Sequence, residues 1–434
     1  MYDAIIVGSG VIGMSVARTM SELGMHIAVI DRDVPGMHAS YKAGGMLGAQ
    51  NEFTEESSLF HIAQTSRSMF EDLRNNLLDE VGVDIEYLSS GLIKMAANLE
   101  DNASVIQQYQ FLHQHDDSVK MLSSEGVSQL SNGGIISDGL SAINIPNDHQ
   151  INANQYTKAL LKSLSHRHIH RIYNTEVHNI ECHHLGGYRV VTKDEVLLSE
   201  KVIVAGGAWS GKLLDNYIPR NKVTGIKGEA LLVEHTKLDL KTTLFMTNGC
   251  YIIPKMNQRY LIGATSYMDD FSVGVSESGK QWLLTQAIQY MPKLKESQLI
   301  KQWSGIRPYC TNEQPIMDEV DKGLFVITGH YRNGILLSPY IGSLMGRWIQ
   351  SGHRPTQLED FQFEGSQKMR CIINGDHFTF ERSLNIQELI HEIGLDEQRV
   401  IVEHNEELIS QKQFPTQIVN DKDCLELLEF VGGG

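Results

Sequence analysis

Tyr2-Asp3-Ala4-Ile5-Ile6-Val7-Gly8-Ser9-Gly10-Val11-Ile12-Gly13 opens the chain. A β-branched apolar run leads into Gly-x-Gly-x-x-Gly. A helical pattern follows through Met14, Val16, Ala17, Met20 and Leu23, and a second apolar run, Ile27 to Ile30, ends at Asp31. Strand, glycine turn, helix, strand and acid in that order form the β-α-β unit that binds a dinucleotide. Gly8 permits the tight turn, Gly10 lets a pyrophosphate approach the backbone, and Gly13 lets helix and strand pack closely. The free amides at the helix start, with Val11 and Ile12, face the phosphates. Asp31 can accept from a ribose hydroxyl and would repel a 2′-phosphate. The motif occurs once, with no second copy for a nicotinamide nucleotide, which points to a tightly held FAD.

The whole chain of 434 residues has room for two or three domains. An apolar fraction of 41% with 21% charged residues is that of a globular protein. No apolar run is long enough to span a bilayer, and the first strand begins at residue 2, so the expectation is a cytoplasmic protein without a membrane partner. A net charge of −16 argues against nucleic acid as a partner. Residues 369–434 hold half of that excess, which marks them as a separate module with its own partner. The five scattered cysteines suit reduced thiols. His166, His168 and His170 alternate along one run, but no supporting Asp, Glu or Cys accompanies them. They read as a solvated face, and no metal is expected.

Ser40 to Gln50 is too rich in small residues for a packed helix and reads as a loop passing a ligand. Residues 55–80 carry a helical stripe, 85–95 turn strand-like, and 152–165 read as a helix. Lys201-Val-Ile-Val-Ala-Gly206-Gly207 is a buried strand ending in paired glycines, a second place for backbone to approach the nucleotide. β-type runs occupy 229–233, 250–254 and 260–265, followed by a helix near 277–290. Leu324 to Thr328 is another buried strand, running through a glycine loop into a helix over 335–349 whose N-terminus can stabilise negative charge on a reduced flavin.

Six pieces together resemble the FAD-dependent D-amino-acid oxidase family, and within it the bacterial glycine oxidases of thiamine synthesis. They are Gly8 to Gly13, Ala43 to Ala49, Lys227-Gly-Glu229, Cys250 to Pro254, Gly305-Ile-Arg-Pro308 and Gly329-His-Tyr-Arg-Asn-Gly-Ile-Leu-Leu337. The resemblance covers about residues 1–355. It implies an α/β fold with a Rossmann-type FAD domain over about 1–84, 140–222 and 310–355, and an antiparallel-sheet substrate domain over about 85–139 and 223–309. It also implies non-covalent FAD lined by Ser40, Gly45, Met46, Val177, Gly206, Gly207, Arg332, Asn333, Gly334 and Ile335, since Cys310 is displaced from the position where related sarcosine oxidases attach flavin. Arg307 would hold the substrate carboxylate in a fork, with Tyr251 donating a further bond and Arg332 lining the same pocket. Glycine and O2 would be the substrates of a homo-oligomeric enzyme. Gly249 stands where glycine oxidases carry a His two residues before the pocket Tyr, which leaves sarcosine, D-alanine or another small amine open as the substrate.

Residues 356–368 read as a polar linker. Beyond it come a hairpin with an Asn374-Gly375 turn, a helix with capping-box spacing at Asn385 and Glu388, strands near 399–403 and 424–431, and the end Gly432-Gly433-Gly434. That β-β-α-β-β order, an α+β pattern, with a diglycine end resembles the ubiquitin-like β-grasp sulfur carrier of thiazole synthesis over 369–434. The resemblance implies that Gly433 and Gly434 form the sulfur-carrying terminus, with a thiazole synthase and a sulfur-carrier adenylyltransferase as partners. A ubiquitin-like interaction module on a flavoprotein scaffold is the non-enzymatic alternative.

Overall fold

In the computed structural model, residues 1–183, 186–219, 221–363, 369–380, 384–420 and 423–429 are described. The chain divides into two compact units, Met1–Gln362 and Phe363–Gly434.

The first unit holds two large sheets. In the eight-stranded sheet Tyr2–Val7 lies between Ile27–Ile30 and Val196–Val204, all parallel, with Ile169–Ile172 beyond the first neighbour and Leu324–Thr328 beyond the second. Ile27–Ile30 and Leu324–Thr328 are nearly continuous apolar runs because both faces are covered, and every residue of the two is buried. The helices Val11–Glu22 and Gly334–Ser351 pack on the sheet through a shared apolar core that includes Met14, Val16, Met20, Ile341, Met345 and Ile349. They approach closely: a Cβ on Gly342 would lie 2.6 Å from the Ser15 side chain.

The nine-stranded sheet is built around the long pair Val223–Glu234 and Gln298–Cys310. It continues through Arg259–Gly263, Tyr251–Lys255, Thr243–Met246, Leu92–Met95, Ala142–Ile145 and Lys120–Leu122. The helix Glu277–Tyr290 covers one face through Leu283, Ala287 and Tyr290.

Several expectations need correction. Ala142–Ile145, placed by the sequence in the dinucleotide-binding part, is a strand of the nine-stranded sheet. The helical stripe of 55–80 is two helices, Ser58–Ser68 and Phe70–Val81, meeting at Met69. Of the strand-like run 85–95, only Leu92–Met95 pairs in this sheet. Residues 356–361, assigned to the linker, form a 3₁₀ turn whose Leu358 and Phe361 enter the core of the first unit. Composition misled there because two apolar residues among polar ones are enough to dock a single turn.

The second unit is a five-stranded sheet in the order Asp376–Phe380, Met369–Ile373, Cys424–Glu429, Val400–His404, Glu407–Ile409. Its first and last long strands, Met369–Ile373 and Cys424–Glu429, are parallel neighbours, and the helix Ile386–Glu392 packs on one face, a ubiquitin-like β-grasp. Asn385 Oδ1 accepts from Glu388 N at 2.8 Å while Glu388 Oε2 accepts from Asn385 N at 3.0 Å, the capping box read from the sequence. Gly433 and Gly434 lie outside the described residues. Among the described residues, no helix is long and apolar enough to cross a membrane.

Candidate active site

One cavity in the first unit collects backbone from both sheets. At one end Gly8 leaves the first strand at φ +110°, where a Cβ would lie 2.4 Å from the Ala205 oxygen. Gly13 seats the helix on that turn, since a Cβ there would fall 2.0 Å from the Gly8 oxygen. Gly10 caps the helix without a side-chain bond to its first amides, and Ser40 Oγ accepts from Val11 N at 3.0 Å. Gly8, Gly10, Val11, Ile12, Asp31, Ser40, Val177, Gly206 and Gly207 line this end together. Gly13 does not, because its place is the contact with the turn.

Asp31, expected from the sequence to accept from a ribose, has a structural role as well. Its Oδ2 accepts from Ser9 N at 2.7 Å and Ser9 Oγ at 2.6 Å, so the acid at the end of the second strand also fixes the glycine turn after the first. Sequence reasoning missed the wall beside it. The Arg32 guanidinium stacks over the Trp209 ring at 4.1 Å, with His38 against the same ring, and all three line the cavity.

At the other end the loop Gly44-Gly45-Met46 crosses the cavity floor. Gly45, at φ +81°, could not carry a side chain: a Cβ would lie 2.1 Å from the Ile151 oxygen. Facing it come His330, Tyr331, Arg332, Gly334 and Ile335, from the loop that enters the last helix of this unit. Asn333 does not line the cavity; it is the N-cap residue of that helix. His330 is 4% exposed, its Nε2 has no partner in the protein, and burial pushes its imidazole down to about 4. A neutral imidazole with one unsatisfied nitrogen in a cavity wall calls for a polar ligand group.

Tyr251 and Arg307 stand on this end as well. Strand register makes room for both. Gly263 pairs with Tyr251, and a Cβ there would lie 2.5 Å from the Tyr251 hydroxyl. Gly228, beside the Arg307 partner Ile226 on the adjacent strand, leaves space for the guanidinium, whose Nη2 would be 2.3 Å from a Cβ. Arg307 Nη1 donates to the Thr265 carbonyl at 3.2 Å, and the guanidinium also bonds the Tyr251 hydroxyl. Burial raises the Tyr251 hydroxyl above the ordinary tyrosine range against the opposing pull of Arg307 and Arg332, so the phenol stays protonated and able to donate. Arg332 lies 4.9 Å over Phe245 and 3.5 Å from Glu52, and the Tyr331 ring is 5.9 Å from both arginines. Phe245, Glu52 and Tyr331 were not found from sequence. The one available signal for Glu52 was an acid three residues beyond the small-residue run ending at Ala49.

Residues 3–348 match the family model described as FAD dependent oxidoreductase. The chain belongs to the FAD dependent oxidoreductase family. Residues 366–434 match the ThiS family, so the protein is a fusion of this oxidoreductase with a ThiS domain. Glycine oxidase of Geobacillus kaustophilus is 34% identical over 363 residues, covering 83% of this chain and 96% of the relative. The crystal structure of that organism's glycine oxidase superposes with a TM-score of 0.80 at 33% identity, over 83% of this chain and 98% of that one. The bifunctional protein ThiO/ThiG of Trichormus variabilis is 28% identical across 84% of this chain and 55% of its own length. The oxidoreductase is an FAD-dependent enzyme acting on amines. Its side-chain-free glycine turns, the acid at the second strand and the orphaned His330 nitrogen suit an FAD laid along the cavity.

Proposed function

We propose that the first unit oxidises glycine to its imine, with Arg307 and Tyr251 holding the substrate carboxylate. One observation carries this reading: the Arg307 guanidinium and the protonated Tyr251 phenol, bonded to each other, line the same cavity as the dinucleotide turn. Two parallel bonds from Arg307 and one from Tyr251 fix a carboxylate in the plane of the fork. Fixing the carboxylate of a two-carbon substrate leaves its Cα–H few orientations, and orientation is the chain's main contribution to rate. The neutral amine drives loss of the Cα hydride with its own lone pair, so no side-chain base is required. FAD bound in the cavity would supply the hydride acceptor, with O2 as the final oxidant and hydrogen peroxide as its product. Water adds to the imine to release glyoxylate and ammonia. Gly44, Gly263 and Gly228 leave the pocket walls bare around Tyr251 and Arg307, and Arg332 adds a second cation held by Glu52.

In this reading the second unit is a sulfur carrier. Gly433-Gly434 is adenylated by an adenylyltransferase and converted to a thiocarboxylate, which a thiazole synthase consumes with the imine; the oxidase assembles as a homo-oligomer. The β-grasp fold and the ThiS match support it, as does a relative in which the oxidase-like part is joined to ThiG.

Anaerobic mixing of the purified protein with glycine tests the first half. Absorbance at about 450 nm should bleach and return with oxygen. A spectrum that stays oxidised with glycine but bleaches with sarcosine or D-alanine overturns the substrate assignment. For the carrier, incubation with ATP, an adenylyltransferase and a sulfur donor should exchange one terminal oxygen for sulfur by mass; an unchanged mass overturns it.

A further inference from the structure

Lys255 ends the strand Tyr251–Lys255 as a partly buried residue whose amine is enclosed, with no carboxylate at ion-pair distance among the described residues. Its Nζ donates to the Gly44 carbonyl at 2.8 Å, the Gln150 Oε1 at 2.9 Å and the Ile151 carbonyl at 3.0 Å. Three acceptors match the three N–H bonds of an ammonium; a neutral amine could serve only two. An uncompensated buried cation is costly and is kept only where its bonds or its field are used.

Where the field goes follows from covalent geometry. The Gly44 carbonyl is drawn towards Nζ, and in a planar trans peptide the Gly45 N–H points the opposite way. Gly44, Gly45 and Met46 line the cavity, whereas Lys255 stands behind them. A carbonyl that accepts from a cation polarises its own peptide, making the attached N–H a stronger donor. Residues 251, 253 and 255 alternate onto one face of their strand, so the same strand carries the Tyr251 phenol to the substrate end and Lys255 to this loop. Gly44 itself abuts that face, since a Cβ on it would lie 3.0 Å from Ile253 Cδ1 and 3.4 Å from the Tyr251 hydroxyl.

We infer that Lys255 is a positioning and tuning residue: its buried ammonium fixes and polarises the Gly44–Gly45 peptide against the cofactor, favouring the electron-rich reduced flavin over the oxidised one. This rests on the binding of FAD in the cavity but not on glycine as the substrate. Burial pushes the amine down to about 7, opposed by the charge of Glu86, while the three oxygen acceptors are arranged to hold it as an ammonium.

The test is the midpoint potential of the bound flavin in full-length holoenzyme, with bleaching by glycine followed separately. Lys255→Met should make the potential more negative by at least the shift equivalent to tenfold in the two-electron equilibrium, about 30 mV. Flavin reduction should slow, while acetate, a carboxylate that cannot be oxidised, should bind as tightly as before. A purely structural role would move stability and leave the potential unchanged. Gln150→Glu keeps the ammonium and sets a carboxylate against it, so it should shift the potential in the same direction, and it decides the case if Lys255→Met does not retain FAD. A wild-type potential in either FAD-loaded variant overturns the inference. Failure of glycine to bleach the wild-type protein would instead sink the substrate assignment and leave this measurement intact.

Discussion

Arg307 is the residue on which the proposed chemistry turns, and its surroundings say how its loss should read. Arg307→Ala leaves the substrate carboxylate facing a cavity end from which one partner has gone, a loss of about 2 to 5 kcal/mol, roughly 30-fold to several thousandfold in kcat/KM. Flavin content should be unchanged, because the glycine turn is held by Ala205, Asp31 and Ser40 and not by Arg307. Steady-state kinetics with the FAD absorbance as control checks both. Lys94 makes a different point. It sits 4.4 Å over the Phe245 ring, and burial pushes its amine down to about 8. The unfolded chain holds that proton up to about pH 10.4, so between the two values the unfolded state binds more protons and stability rises with pH; below about 8 the full cost of burying the charge is present. Lys94→Met should therefore raise Tm at pH 7, by an amount equivalent to roughly 3 kcal/mol. It should also abolish the rise in stability between pH 8 and 10. A variant with unchanged Tm and an unchanged pH profile would show that the amine reaches water.

Among the elements, glycine identity separates binding of cofactor from binding of substrate. A Cβ on Gly13 would strike the Gly8 carbonyl, which is backbone and cannot yield, whereas a Cβ on Gly228 would strike the tip of the Arg307 side chain, which can. Gly13→Ala should displace the helix start and give a protein poor in flavin. Gly228→Ala should keep its flavin and raise KM for glycine as the fork is pushed aside. The flavin-to-protein absorbance ratio and the KM of the two variants, measured side by side, check the contrast. This difference also explains what the sequence could and could not reveal. Gly8 to Gly13 and Asp31 were legible because all their spacing lies within one β-α-β unit. Arg307 and Tyr251 were nameable through family motifs, but the reason they fit was not legible: Gly228 and Gly263 act across strand pairs whose register no local pattern encodes. Lys255 and Phe245 were invisible for the same reason, since a lysine at a strand end reads as solvated until the loop from residue 44 is laid against it. Asn333 went the other way: the glycine loop marked the helix start correctly, and the structure makes this residue the helix N-cap rather than part of the cavity wall.

At the scale of the molecule, each unit closes its own core. Leu358 and Phe361 complete the first, and Met369, Ile373, Ile386, Leu389, Val402, Leu425 and Leu427 make the second. Two cores that share no residues should melt as two cooperative transitions. A ligand that binds only the folded form of one of them raises that transition alone, by about 2.7 kcal/mol at a free concentration 100 times its Kd. Calorimetry of the full chain should therefore show one transition that climbs with added FAD and one that stays put. Asn385→Ala removes the acceptor of the capping box in the second unit, which should lower the FAD-insensitive transition by the equivalent of about 1 kcal/mol and leave the other where it was. A single transition responding to both FAD and Asn385→Ala would mean that the two parts fold as one. The fusion would then be a mechanical union, not merely a covalent one.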